Sequence, residues 1–406
     1  MMDIALFKDI IDKCSHCAFC EAVCPVFRED LLETHVARSR MLILREALIE
    51  KRLPVTKRVR EIVNRCLLCG QCKNACPAGV PVDDIVIAGR SALQQGKGKL
   101  SPKRFLLNQM MAHRGDARLL RTGERMAAMA GADLTDYPRF ARTLFSEIYP
   151  SGIYEPVTPR RATVAYYPGC ATNVFYPDTG EAVMQVLSHN GVSVIIPDKL
   201  VCCGIPALAS GDIESAQAMM EKNIEQLSQV EADWIVTDCS SCLMTLKEKT
   251  LFVIDSVSDV RQKAEAVSRK MTDVMAFLNG IGLVGSPPSL GERVTFHIPC
   301  HAKGKEGLAN APFTLLSNVE KATLIPQEED SGCCGAGGTF FTGHKRLSQG
   351  LREKRCSAIR RSGASTVLTQ CPSCRTYIQA GLGCEKIVTH PMVFLARAYG
   401  FPISRI

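Results

Sequence analysis

The 406-residue sequence has no apolar run long enough to cross a bilayer. The nearest, MTDVMAFLNGIGLVG at 271–285, is short and is broken by Asp273, Asn279 and three glycines, whereas a spanning helix needs about 20 apolar residues. There is no apolar leader either. Met1 is followed by acidic and basic residues mixed with apolar ones, so a secreted, disulfide-stapled product is not expected. No G-x-G-x-x-G follows a strand and opens a helix, which leaves no evident flavin or nicotinamide site. The run GCCGAGG at 332–338 lacks the Lys-Ser/Thr that would make it a phosphate-binding loop. Nothing matches a nucleic-acid motif.

What the chain has in excess is cysteine, 20 of them, gathered in tight and regular words. In a chain with no leader this points to metal or redox use in a reducing compartment, the cytoplasm. The first word, CSHCAFCEAVCP, runs from Cys14 to Pro25, and CLLCGQCKNACP repeats its pattern from Cys66 to Pro77. C-x2-C-x2-C-x3-C-P is the bacterial ferredoxin run: three closely spaced thiolates wrap one iron–sulfur cube, and the cysteine before the proline ligates the other. Cys14, Cys17, Cys20 and Cys76 are thus expected to hold one [4Fe–4S] cluster, and Cys66, Cys69, Cys72 and Cys24 the second. Zinc ribbons use paired C-x-x-C, not a triple run plus C-P occurring twice. The formal charge of +8 does not call for an anionic partner. An oxidised four-iron cube with four thiolates carries about −2, so several clusters cancel much of the excess.

The length suggests two or three domains. Residues 1–95 hold the ferredoxin words, and LLETHVARSRMLILREALIE at 31–50 has helical periodicity, so a helical ferredoxin domain is expected. Residues 96–160 read as a basic connector: GKGKLSPKRF is flexible, MMAHRGDARLLRTGERMAAMAG is helical, and SGIYEPVTPRR is a Pro-rich linker. The sharper reading of this segment is a helix that docks on a partner or lies peripherally on the inner face of the membrane. From 161 onward, β-branched runs lead to cysteines and then to helical stretches. ATVAYYPGC, VSVIIPD and DWIVTDCSSC are answered by RVTFHIPC, KATLIP and STVLTQCPSC. Cys170 and Cys300 stand 130 residues apart, Cys202 and Cys333 131, and Cys239 and Cys371 132. This is an internal duplication, with domains at 161–285 and 286–406. Alternating strands and helices predict an α/β fold with parallel sheets, whose sites gather at the carboxyl ends of strands.

Each repeat supplies five thiols: Cys170, Cys202, Cys203, Cys239 and Cys242, then Cys300, Cys333, Cys334, Cys371 and Cys374. Five is one more than a cube needs, and adjacent cysteines cannot easily reach far corners of one cube; an open cluster with a bridging thiolate suits them. The glycine after each pair is expected to let the backbone pass close to a bulky cofactor. The duplicated C…CCG…C-x-x-C pattern resembles the cysteine-rich domains of heterodisulfide reductase. With the ferredoxin words in front, nearly the whole chain resembles a wider family. It includes the iron–sulfur subunit of glycolate oxidase, the C subunit of anaerobic glycerol-3-phosphate dehydrogenase and the D subunit of heterodisulfide reductase. CEKIVTHPMVFLARA at 384–398 is similar to the glycerol-3-phosphate dehydrogenase subunit. The resemblance implies one or two noncubane [4Fe–4S] clusters in the CCG domains; zinc or an empty structural site in one of them is the alternative. Some members of the family have degenerate C-x-x-C positions, but here both sets are whole.

A chain with up to four clusters and no hydride-handling cofactor most simply carries single electrons. It needs a flavoprotein to take two from an organic substrate. The family implies an FAD-linked dehydrogenase of a 2-hydroxy acid (glycolate or lactate) or of glycerol-3-phosphate as donor, and a quinone or other carrier as acceptor. The alternative is a catalytic disulfide reductase, in which two complete five-cysteine sets cleave a sulfur–sulfur bond; a structural or regulatory metal protein is a third. Cys356 and Cys384 lie outside every word and are expected to be packed free thiols. His297 and His301 flank Cys300 and read equally as hydrogen-bonded histidines or as groups that tune a cluster. Anaerobically purified protein is expected to contain iron and acid-labile sulfide in near-equal amounts, about four of each per cluster. Metal analysis that finds zinc dominant overturns the ferredoxin assignment.

Overall fold

The computed structural model describes residues 3–95 and 117–403, except 130, 132, 256, 286, 288–290, 306, 321, 327–331 and 339. The expected flexible stretch at 96–105 and the start of the Met-rich segment lie outside the described residues. The chain divides into two compact units. The first is formed by Met1–Asn108, Gly204–Gln217 and Asp330–Arg355, the second by Gln109–Cys203, Ala218–Glu329 and Cys356–Ile406.

Among its described residues the first unit contains helices and no strand. Its N-terminal part comprises α1 (Lys8–Asp12), α2 (Phe19–Val23), α3 (Pro25–Asp30), α4 (Ala37–Leu44), α5 (Lys57–Asn64), α6 (Gln71–Asn74) and α7 (Val82–Gln95). The helix expected within 31–50 is α4, prolonged by a wider turn at Arg45–Ile49. Met41, Leu44, Val63, Ile85 and Val86 form the core, as the helical spacing of apolar residues requires. Thr56 caps α5 by accepting from the Val59 N–H. Its other end is held by two buried arginines. Arg40 donates to the carbonyls of Ile62 and Arg65, and Arg90 to those of Val63, Asn64 and Cys66. Guanidinium donors satisfy the orphan carbonyls of a helix C-terminus and suit its negative end. The chain therefore enters the second ferredoxin word from a fixed point. Arg90 also donates to the Ala209 carbonyl at 2.6 Å, which ties the helix Ile205–Ser210 to α7.

The second unit holds the expected α/β repeats. One sheet has the order β1-β3-β2-β4-β5 and the other β7-β6-β8-β9. The strands are β1 (Gly152–Tyr154), β2 (Ala162–Tyr167), β3 (Val192–Ile196), β4 (Trp234–Thr237), β5 (Met271–Asp273), β6 (Arg293–Phe296), β7 (Thr323–Ile325), β8 (Thr366–Leu368) and β9 (Ile387–Thr389). All pairings are parallel except β1 with β3. The order 3-2-4-5 is the order 7-6-8-9, so the duplication extends to topology. One expectation needs correction. SGIYEPVTPRR is not linker throughout: its Gly152–Tyr154 adds an antiparallel edge strand on β3.

Two helices of each repeat build the contact between repeats. They are α8 (Pro177–His189) and α9 (Val274–Ile281) in the first, α10 (Ala311–Ser317) and α11 (Pro391–Ala398) in the second. α8 packs on α11 and α9 on α10, the crosswise pattern that a local two-fold axis produces. A single apolar core, including Tyr166, Leu187, Val274, Phe296, Leu315, Leu368 and Phe394, draws on both repeats. Two buried hydrogen bonds cross in the same way. Gln370 donates to Asp273 Oδ1 at 2.7 Å, and His390 Nε2 meets the Asp238 carbonyl at 2.9 Å. Because His390 Nδ1 accepts from the Met392 N–H to cap α11, its Nε2 carries the proton and donates.

The repeats are also clamped by Arg375, whose Nη1 and Nη2 reach the two oxygens of Asp178 at 3.1 and 2.7 Å. Its guanidinium lies over the Tyr176 ring, 4.1 Å from the centroid. The side chains are only 12% and 7% exposed, so losing one partner strands a buried charge, a loss of about 3–5 kcal/mol. Arg375→Met is expected to lower unfolding stability by about that much, and adding Asp178→Asn to recover most of it, as read by denaturant titration of the two variants.

Candidate metal centres

The two ferredoxin words fold alike. His16 and Leu68 have φ of 55° and 54°, and Ala18 and Gly70 have 67° and 71°. Two left-handed residues in each word turn the chain tightly between its cysteines, and three of the four are not glycine. Such a conformation costs an L-residue roughly 1–2 kcal/mol, which surrounding structure or bound metal has to offset. α2 and α6 lie within the words and pack on each other.

Cys24, Cys66, Cys69 and Cys72 line one recess of about 390 Å³, open to solvent, together with Arg40 and Asp83. These are the three thiols of the second word and the fourth cysteine of the first. Cys14, Cys20 and Cys76 pack at the edge of the helical core, and Cys17 is exposed. Among the described residues no cysteine is in a disulfide. Burial pushes the Cys69 and Cys72 thiols well above their usual range and raises Cys20 and Cys24. Backbone N–H groups oppose burial. Those of Phe27 and Val26 in α3 reach Cys24, that of Arg38 in α4 reaches Cys20, and that of Gln71 in α6 reaches Cys69. Thiols thus stand at helix N-termini, where N–H groups and the helix dipole favour the thiolate.

Cys333 stands beside this recess. It packs with Cys24, Leu67, Cys69 and Phe340, and after burial its charge is the largest influence on Cys69, ahead of Cys66 and Cys24. No sequence signal points to this neighbour, since Cys69 and Cys333 share no word.

In the second unit the first five-thiol set is assembled. Cys170 and Cys202 sulfurs are 3.4 Å apart. Hydrogen bonding with Cys170 and Cys203, followed by burial, holds Cys202 protonated well above its usual range. The bonds that Cys242 makes to Cys203 and Cys239 do the same for Cys242. The five thiols therefore form one continuous series: 170, 202, 203, 242, 239. Tyr167 lies among them and donates to the Val201 carbonyl at 2.6 Å. A Cβ on Gly169, where φ is +67°, would stand 3.1 Å from Cys242 Sγ, so glycine is required at that turn. Asp238, just before Cys239, is buried against Thr172 and Tyr166. Burial raises its carboxyl to about 7, and that of Asp273 likewise.

Of the second set, Cys300, Cys371 and Cys374 belong to the second unit, and Cys333 and Cys334 to the first. Cys371 is the N-cap of the helix Pro372–Leu382. A hydrogen bond from the Cys374 thiol, N–H groups of Cys374 and Ser373, and the Ser241 hydroxyl bring it down to about 7 against burial. Ser241 is part of the first set's C-x-x-C word. Its hydroxyl lies 2.9 Å from His301 Nδ1 and 3.9 Å from Cys371 Sγ. The glycines after the cysteine pairs are also fixed by the backbone around them. Gly204 and Gly335 have φ of +90° and +88°, and a Cβ there would meet the backbone oxygens of Ala216 at 3.0 Å and Ser348 at 2.5 Å. They are needed for a left-handed turn pressed against a helix backbone. Cys356 is packed, as expected, but Cys384 is exposed at the surface, which corrects the expectation that both are packed.

The donor sets fit iron–sulfur chemistry: soft sulfur, in fours and fives, with N–H groups aimed at it. Comparison with known proteins agrees. Residues 164–247 and 294–379 each match the family described as the cysteine-rich domain, CCG, and residues 10–80 match the 4Fe-4S dicluster domain. The chain belongs to the CCG iron–sulfur family. It is 30% identical to lactate utilization protein A of Exiguobacterium over 52% of this chain and 86% of that one. It is 25% identical to the glycolate oxidase iron-sulfur subunit of Escherichia coli, over 91% and 90%. It is 26% identical to a fumarate reductase (CoM/CoB) subunit of Methanothermobacter marburgensis, over 92% and 70%. Other relatives are longer, and the chain spans 58% of an iron–sulfur protein of Methanococcus maripaludis. This CCG protein is thus an iron–sulfur subunit of an oxidoreductase. No helix among its described residues is long and apolar enough to cross a membrane.

The recess joins Cys24 to the second word's thiols, so the fourth cysteines are expected to be exchanged between words. Cys76→Ser should damage the cluster of Cys14, Cys17 and Cys20. An EPR spectrum in which that signal survives and the other changes would overturn the exchange.

Proposed function

We propose that this CCG protein is the electron-transfer subunit of a multisubunit dehydrogenase. An FAD-linked partner oxidises glycolate, lactate or glycerol-3-phosphate, and electrons leave this chain for a quinone or another carrier. Cys14, Cys17, Cys20 and Cys76 hold one cubane [4Fe–4S] cluster, and Cys66, Cys69, Cys72 and Cys24 the other. The two five-cysteine sets hold noncubane clusters. Bound clusters of this kind accept and release one electron at a time.

The observation that carries this reading is that neighbouring thiol sets adjoin. Within the first unit Cys333 stands against the recess of Cys24 and Cys69. Within the second unit Ser241 of the first C-x-x-C word reaches Cys371 of the second. Names among the relatives support the donor class, since they include a glycolate oxidase subunit and lactate utilization proteins. The chain's own residues supply thiolates, aim helix N–H groups at them and keep water from the buried ones.

A second reading, a catalytic disulfide reductase subunit, is favoured by the continuous series of five thiols around Cys202 and Cys242. One experiment separates the two. The isolated protein is given a low-potential one-electron donor and a panel of small disulfides, and separately an FAD-linked dehydrogenase with its hydroxy acid. Absence of disulfide turnover, with cluster bleaching that depends on hydroxy acid and flavoprotein, is the expected result. Rapid disulfide reduction without the flavoprotein overturns it. Cys203→Ser should then leave flavin reduction by substrate intact while passage to the acceptor stops.

A further inference from the structure

The repeats share one backbone plan, yet the groups that touch their sulfurs differ. At the repeat offset of 132, Ser241 corresponds to Ser373, and at 130, His301 corresponds to Ala171 and His297 to Tyr167. Ser241 belongs to the first set's word but faces the second set, with its oxygen 3.9 Å from Cys371 Sγ and 2.9 Å from His301 Nδ1. A Cys371 thiolate bound to metal can only accept. The Ser241 hydroxyl proton therefore points at sulfur, and His301 Nδ1–H donates into the Ser241 oxygen behind it. A donor backed by another donor is polarised and strengthened.

The first repeat has no histidine at the matching place. The residue in the place of His301 is Ala171, whose methyl donates nothing. Tyr167, which lies among the first set's thiols, spends its hydroxyl proton on the Val201 carbonyl. At the matching place in the second repeat, a ring nitrogen of His297 lies within 4.8 Å of Cys374 Sγ. Hydrogen bonds to cluster sulfur favour the more negative, reduced state and so raise the potential.

We propose that the two five-cysteine sets are redox-inequivalent, with the second at the higher potential because Ser241, carried by the first set's word, donates to Cys371. Ser241 is then a positioning residue that links the sites, and an electron shared between them rests on the second. The inference rests on the reading that both sets hold iron–sulfur clusters.

The test is an EPR-monitored redox titration of the full chain with its native clusters, alongside iron analysis. Cys242→Ser identifies the first set's signal by its loss. Two separate midpoints are expected, with the second set's the higher. Ser241→Ala should lower that midpoint and leave the first set's in place, while Ser241→Thr, which keeps the hydroxyl, should restore it. A merely structural role for Ser241 would not give a shift confined to one site and rescued by threonine. Coincident midpoints, or a Ser241→Ala protein with both midpoints unchanged, overturn the inference while leaving the electron-carrier reading standing. A second set that holds zinc in place of iron, with only one such signal present, overturns the two-cluster reading and this inference with it.

Discussion

Both C-x-x-C words of this protein stand where they do because two buried hydrogen bonds cross between the repeats. Gln370 and Asp238 immediately precede Cys371 and Cys239, and each is held by the N-cap residue of the opposite repeat's last helix, Asp273 or His390. Each cap residue has two roles at once. Asp273 Oδ1 takes the Met275 and Ala276 N–H groups as well as the Gln370 amide. His390 takes the Met392 N–H on one ring nitrogen and donates from the other. Burial keeps these groups neutral-leaning, with Asp273 raised to about 7 and His390 lowered to about 3. A polar group left unpaired in such a place costs roughly 1–3 kcal/mol. The loops that carry the thiols are therefore registered against the partner repeat rather than only against their own strands, and neither repeat presents its cysteines correctly without the other.

The thiols themselves are arranged for exchange of protons for metal. Without metal, buried sulfurs such as Cys69, Cys202 and Cys242 hold their protons far above the usual range, while N–H groups of the following helices stand ready to receive the thiolate. Metal binding has to release those protons, which makes assembly of the centres pH-dependent. The same N–H groups would then serve the thiolates that hold a bound cluster.

How much of this is legible in the sequence depends on the range of the forces involved. The ferredoxin words state their ligands by spacing alone, and left-handed residues at equivalent places, 16 with 68 and 18 with 70, follow from wrapping a compact object. Six strands are visible as β-branched runs before cysteines. β1 is hidden in SGIYEPVTPRR because three residues gain strand character only from the edge of β3. β5 and β9 are as short, although TDVMAFL at 272–278 and THPMVFL at 389–395 form a repeated word that marks both. The neighbourhood of Cys333 and Cys69, and that of Ser241 and Cys371, join residues 264 and 130 positions apart. No local pattern records such contacts. The glycines of both CCG words can be read as conformational requirements, but the helix backbones that press on them cannot.

Duplication also explains why the repeats could not stay identical. A local two-fold axis makes every contact near it occur twice, with equivalent residues exchanged. Asp238 is equivalent to Gln370, and Asp273 to His390, by their places before the C-x-x-C words and at the caps of α9 and α11. If the second repeat carried the first repeat's residues, an aspartate at 370 would stand where the Gln370 amide now donates to Asp273, and an aspartate at 390 would meet the Asp238 carbonyl without a donor. Like charges that close push one carboxyl to remain protonated and leave the pair short of donors. With glutamine at 370 and histidine at 390 both oxygens that meet across the repeats have a donor: amide to the Asp273 carboxylate on one side, imidazole to the Asp238 carbonyl on the other. The divergence that satisfies this buried contact lies one residue from Cys239 and Cys371. Relief of symmetry in the core therefore delivers different chemistry to the two sulfur sites, although their backbones run alike.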